Sequence, residues 1–330
     1  MNRARLLVLL PIILSLFETY AGGASKAPDI FPFLGRQYVR LADWARANSL
    51  ELRWIKQDET VQLTNSRFKI AFTINSTDCD FNGVDLRLLF AIASREGAPC
   101  VSQLDAQNTL APLLYPPRNR RGVQVKKICL DPGHGGDDPG YRVGSVEEKK
   151  YTLLLAQELR DQLVKAGFQV SLTRTTDKRV DLPVRPDLAR RRGADLFVSL
   201  HFNAFPQKPV QGTEVYCLTP AGAPSTNARG EGAGAGRFAG NRFNDKNMCL
   251  AYQVQKSLIK NLGTEDRGVH RARFAVLKDA EMPAILIEAG FLSHPTEGRK
   301  ILDPAYRRKM ARAILEGIQT YKQQVERSAD

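Results

Sequence analysis

At 330 residues with 43% hydrophobic content, the chain has apolar material for two domains and is neither a disordered tract nor a fibrous repeat. Its 48 Lys and Arg against 35 Asp and Glu give a net charge of +13, which points to an anionic partner. The N-terminus carries Arg3 and Arg5, an apolar run over 6–17 and small residues over 21–24. That order predicts a secretory signal over 1–24, with an uncleaved anchor as the alternative, because the run is too short to span a bilayer comfortably. Export to the periplasm or beyond leaves no stable membrane span. It also moves the expected anion from nucleic acid to cell-wall polymers or anionic lipid. Five cysteines (Cys79, Cys100, Cys129, Cys217, Cys249) lack the paired spacing of a zinc-thiolate site, and Cys79 with Cys100 is a candidate disulfide.

From residue 30 to 114 the pattern predicts short strands and one helix, with extended segments near 37–41, 50–54, 60–63 and 67–74. This stretch resembles the copper amine oxidase N-terminal-like domain, a small α+β module. It contains no histidine, so no metal cluster is expected there. Residues 115–122, rich in proline and charge, read as a solvated linker. Beyond it, strands are predicted at 125–130, 169–174, 195–200, 213–218, 274–277 and 284–287, and helices at 147–166, 183–192, 248–262 and 304–325. Such alternation predicts an α/β domain over 123–325, with a mostly parallel central sheet of about six strands and helices on both faces. The small α+β domain precedes it. Residues 220–247, rich in Gly, Ala, Ser and Asn, read as a flexible insertion.

Two of the four histidines follow predicted strands: His134 within Asp131-Pro132-Gly133-His134-Gly135-Gly136, and His201 within Ser199-Leu200-His201-Phe202-Asn203. Sheet ends of this kind are where open α/β folds place their chemistry. Glu148 opens the helix after the His134 loop, although Ser145-Val146-Glu147-Glu148 also has the spacing of a capping box. Glu288 closes the apolar run 283–287, where burying an unpaired carboxylate requires a cation or a catalytic duty. Two imidazoles and a carboxylate leave a fourth tetrahedral position for water, the pattern of hydrolytic zinc sites. A nucleotide-binding reading of the glycines fails because no Lys-Ser or Lys-Thr follows them.

The segments 130–140, Glu148, Thr173-Arg174, 194–203 and 283–293 together resemble the zinc-dependent N-acetylmuramoyl-L-alanine amidases, in order and over residues 123–322. The resemblance implies Zn2+ bound by His134, Glu148 and His201, and Glu288 as general base and acid. It also implies a substrate contact from Asn203. The implied substrate is peptidoglycan, cleaved at the amide between N-acetylmuramic acid and L-Ala. A catalytically silent or activator-dependent wall-binding protein is the alternative, with an activator protein acting on the 220–247 insertion. Two positions depart from the pattern: Arg190 and His294 stand where the family commonly has Asn. His270 is read as a polar loop residue, and Arg190, Arg191 and Arg192 as a basic cluster facing solvent or stem-peptide carboxylates.

Overall fold

The computed structural model describes residues 28–326, apart from 206, 208, 228–231 and 233–235. The predicted signal over 1–24 lies outside the described residues, among which no helix is long and apolar enough to cross a membrane. The strands are β1 (Ile30–Phe33), β2 (Arg36–Arg40), β3 (Glu51–Lys56), β4 (Thr60–Thr64), β5 (Lys69–Thr73), β6 (Asp78–Phe81), β7 (Asp85–Arg87), β8 (Ala93–Arg95), β9 (Ala98–Ser102), β10 (Lys127–Pro132), β11 (Arg142–Val143), β12 (Val146–Glu147), β13 (Gln169–Leu172), β14 (Leu196–Asn203), β15 (Thr213–Leu218), β16 (Asp266–Ala272) and β17 (Ala284–Phe291). The helices are α1 (Leu41–Ala47), α2 (Gln103–Asp105), α3 (Ala111–Leu114), α4 (Glu148–Lys165), α5 (Val184–Arg191), α6 (Asn244–Leu262), α7 (Ala275–Lys278), α8 (Pro295–Leu302) and α9 (Pro304–Glu326).

The central sheet is mixed and has eleven strands, not about six, in the order β13-β10-β14-β17-β15-β16-β7-β6-β5-β4-β3. Strands β13, β10, β14 and β17 run parallel, and β15 pairs antiparallel to β17. Five of the expected strands and the unexpected β16 form one end, and an antiparallel meander from the first hundred residues continues the sheet through β7. Its junction is the parallel pairing of Leu86 with Val269. Around it, Asp266 accepts the Asp85 amide, and Tyr252 donates to the Phe81 carbonyl. Residues 115–122 form no helix or strand and are exposed or half-buried, with two ties to the rest of the fold. Asn119 donates its amide to the Val325 carbonyl and accepts a hydrogen bond from Lys246.

Alternation along the strands separates two apolar layers. In β14, Leu196, Val198, Leu200 and Phe202 join the large core beneath α4, α6 and α9, while Phe197 faces the smaller cluster beside α7. Helix α4 sits on the large core because Tyr151, Leu155, Ala156, Leu159 and Leu163 recur at helical spacing and are buried. Helix α6 begins four residues before the predicted start and ends at Gly263, whose left-handed backbone terminates it. Residues 220–247 are therefore not wholly unpacked. Ala223 and Asn241 are buried, and Asn241 donates to the Thr219 carbonyl.

Three expectations need correction. The predicted strand at 274–277 is helix α7, and the strand lies just before it as β16, which places His270 in a strand rather than a loop. All five cysteines are free and buried, so the Cys79–Cys100 disulfide is absent. The cluster Arg190, Arg191 and Arg192 does face solvent; Arg190 and Arg191 pair with Asp187, and Arg192 donates to the Leu172 carbonyl.

His294 explains one departure. Its Nδ1 accepts the amides of Thr296 and Glu297 and so caps α8, the task an Asn side chain performs at a helix N-terminus. His294→Asn should therefore leave stability nearly unchanged. His294→Ala should cost about 1 kcal/mol. Urea unfolding of the two variants checks this; equal losses would show that the ring acts by packing instead.

Candidate metal centre

The site arises where polar residues interrupt the smaller apolar layer. On β14 the face that carries Phe197 continues as Ser199, His201 and Asn203. On β17 the corresponding face runs from Ala284 and Leu286 to Glu288. His201 and Glu288 are paired in register, and Glu214 of β15 flanks Glu288 on its other side. Because β14 extends to Asn203 and β17 to Phe291, both residues lie within strands rather than just beyond them.

His134 reaches the same point from the loop after β10, with a left-handed backbone at φ 61°. Its Nδ1 lies 2.8 Å from Asp138 Oδ2, and its Nε2 lies 3.1 Å from Glu148 Oε1. His201 Nδ1 is also 3.1 Å from Glu148 Oε1. Glu148 is buried at the first position of α4 and accepts the Tyr141 and Phe202 amides besides. It is not the partner of a capping box, because no side chain caps this helix.

One ligand atom from each of His134, Glu148 and His201 lies within 4.8 Å of the others, so the trio can hold a metal ion. Glycines make room for it. A Cβ on Gly133 would sit 2.3 Å from the His201 ring, and one on Gly140 would sit 2.5 Å from Glu148 Oε2. The donor set of two imidazoles and a carboxylate suits zinc. The outer partner Asp138 on His134 is the kind that orients a ligating imidazole.

Electrostatics follow from these contacts. Burial alone would raise Glu148, but hydrogen bonds from His134 and His201 hold it well below the usual carboxylate range. For His134, burial works toward a lower pKa, and the Glu148 and Asp138 carboxylates outweigh it and raise it. Glu288 is pushed well above its ordinary value, first by burial and then by the nearby charges of Glu148 and Glu214. Its Oε2 is shut off from solvent without a hydrogen-bond partner. An orphaned carboxylate oxygen beside three metal-type donors fits a group waiting for a proton or a cation.

These residues line a cleft of about 340 Å³ together with Phe274, Ala275, Val276 and Leu286. Asn203 lines it too, but its Nδ2 donates to Glu214 Oε1 at 2.7 Å and its Oδ1 accepts the Ala204 amide. Sequence reasoning missed Glu214, which is buried and also accepts from Tyr216 and Arg267. A charge inside the otherwise buried strand 213–218 was the available signal. His270 stacks on Tyr216 and lies against the carbonyls of Thr226 and Arg267, so its ring is packed rather than facing the cleft.

The family model for N-acetylmuramoyl-L-alanine amidase, Amidase_3, matches residues 128–320. The chain belongs to this family. The amidase domain so defined contains every residue of the trio and Glu288. The protein is 36% identical to the N-acetylmuramoyl-L-alanine amidase AmiC of Neisseria meningitidis, over 66% of this chain and 56% of that one. It is 34% identical to AmiA of Escherichia coli, over 62% of this chain and 79% of that one. The match thus spans little more than half of the Neisseria protein. Among solved structures, the amidase AmiC2 of Nostoc punctiforme aligns with a TM-score of 0.51 at 31% identity, over 61% of this chain and 99% of that one. That alignment leaves about two fifths of the present chain without a counterpart.

Proposed function

We propose that the protein hydrolyses the amide between N-acetylmuramic acid and the L-Ala of the peptidoglycan stem peptide, using Zn2+ held by His134, Glu148 and His201. The reading rests above all on the register of Glu288 with His201, which sets a half-buried carboxylate with an unpartnered Oε2 beside the metal-type donors. When bound, Zn2+ would polarise the scissile carbonyl and bring the pKa of a water toward about 7. Glu288 takes the water proton and returns it to the leaving amine of L-Ala, a shuttle that its raised proton affinity suits. Asp138 keeps His134 oriented. Phe274, Val276 and Leu286 give the cleft beside Glu288 an apolar lining.

Membership of the family, together with the charged, apolar and small-residue order of the first 24 residues, supports action on cell-wall peptidoglycan outside the cytoplasm. Residues 30–114 retain the proposed kinship with the copper amine oxidase N-terminal-like domain, supported by their content of short strands and one longer helix. An activator working on 220–247 is supported by the packing of that segment. Arg273 holds the Ala223 and Gly232 carbonyls, and Gly240 lies against the Leu277 carbonyl of α7, which borders the cleft.

The deciding experiment is mass spectrometry of fragments released from purified peptidoglycan by the zinc-loaded protein. Free stem peptides with a new L-Ala amino terminus are expected. Binding without cleavage would favour a silent or activator-dependent protein; sugar-chain or peptide-bond products would refute the amidase reading.

A further inference from the structure

Three consecutive carbonyls of the His134 loop, those of Pro132, Gly133 and His134, converge on two buried guanidinium groups. Arg174 donates to the Pro132 and Gly133 carbonyls. Arg185, on α5, donates through Nη1 to the Pro132 carbonyl and to Asp131 Oδ1, both at 2.9 Å. Its Nη2 donates to the His134 carbonyl at 3.0 Å, and its Nε to the Val180 carbonyl at 2.9 Å. Arg185 is 3% exposed and Asp131 is wholly buried. Asp131 is saturated on its other sides by Thr173 and Ser199.

This arrangement answers a specific need. His134 has a left-handed backbone that a non-glycine residue adopts only when its surroundings impose it. The carbonyl of His134 and the two before it are gripped by planar forks, which define direction as well as distance. Arg185 does so from outside the loop and touches neither imidazole nor the cleft.

We propose that Arg185, anchored by Asp131, is a positioning residue that fixes the backbone of 132–134 so that His134 presents Nε2 to the metal. The proposal rests on the reading of His134 as a ligand. Lysine at 185 would keep a cation beside Asp131, and so the fold, but its single ammonium cannot serve Asp131 and three carbonyls in the same geometry.

The test compares R185K, H134A and the double variant, each in the full chain. Zn2+ affinity is read by competition with a chromophoric chelator, and geometry by the visible absorption of the Co2+-loaded protein. R185K should unfold cooperatively like the parent, bind Zn2+ about 10–100-fold more weakly and shift the Co2+ band, the scale typical of an outer partner of a ligand. In the H134A background R185K should add no further loss. Unchanged affinity and an unchanged Co2+ band in R185K would overturn the proposal. An equal loss with and without His134 would do the same, since it would mark general loosening. If H134A itself leaves Zn2+ affinity intact, the ligand assignment falls and takes this proposal with it. Should R185K fail to fold, T173V frees one side of Asp131 without stranding a charge. A weaker shift of the same sign would then support the proposal, and none would overturn it.

Discussion

Replacing Glu288 with Gln should lower kcat by about 10²–10⁴-fold while leaving Zn2+ affinity close to that of the parent. The side chain keeps its shape and loses only the ability to take and return a proton. Its stability effect has the opposite sign. A carboxyl whose folded pKa lies above its ordinary 4.5 binds its proton more tightly folded than unfolded, so the folded state weakens as pH rises from 4.5 toward the raised value. Gln carries no such penalty. In chelator-treated protein, Glu288→Gln should therefore unfold at a higher urea concentration than the parent at pH 8, with the difference shrinking toward pH 4. Unimpaired turnover would remove Glu288 from the chemistry, and lower stability at pH 8 would show that its charge has a partner.

Loss of a proposed metal ligand should be still more damaging. Glu148→Gln should bind Zn2+ more than about 100-fold less tightly, beyond the 10–100-fold scale of outer partners, and turn over no faster than background in limiting metal. Chelation of the parent should have the same effect on activity and be reversed by added Zn2+. At a Zn2+ concentration 1,000 times Kd the folded state gains about 4.1 kcal/mol, visible as a higher melting temperature. Two opposed shifts set the pH window of the metal-free trio. The lowered Glu148 contributes stability above its ordinary 4.5 that is lost as pH falls. The raised His134 contributes below its ordinary 6.5, and that part is lost as pH climbs through its folded value. Chelated protein should thus gain most from these contacts between pH 4.5 and 6.5. Zn2+ must displace the proton on His134 and should bind more tightly above that window. Calorimetric titration in buffers of different ionisation enthalpy would read the released proton; none released would mean that the imidazole is already neutral.

The site was more legible than the sheet around it. His201 and Glu288 stand at polar breaks in apolar runs, while His134 stands in a Gly-rich loop after a strand and Glu148 at a helix start, all of them local features. Helices α4, α5 and α9 and strand β15 were also readable within a residue or so, because burial imposed their periodicity. Strand β16 was not. Its sequence Asp-Arg-Gly-Val-His-Arg-Ala has little apolar pattern, and it is extended because β15 and β7 flank it and Arg271 buries its charge on the Leu218 and Asn108 carbonyls. The apolar stretch beginning at Phe274 looked like a strand, but Val276 and Leu277 satisfy the smaller core as a single helical turn. Joining of the two halves depends on Leu86 meeting Val269, 183 positions apart, which no local window contains.

That joining turns the first hundred residues into a ruler. Seven strand-to-strand steps separate β17, which carries Glu288, from β3 at the far margin of the sheet. At about 4.8 Å per step the separation measured along the sheet is about 34 Å. A flexible tether would let the catalytic end sweep a volume around any point of attachment. Here an attachment at the far margin would instead hold the cleft at one radius from it.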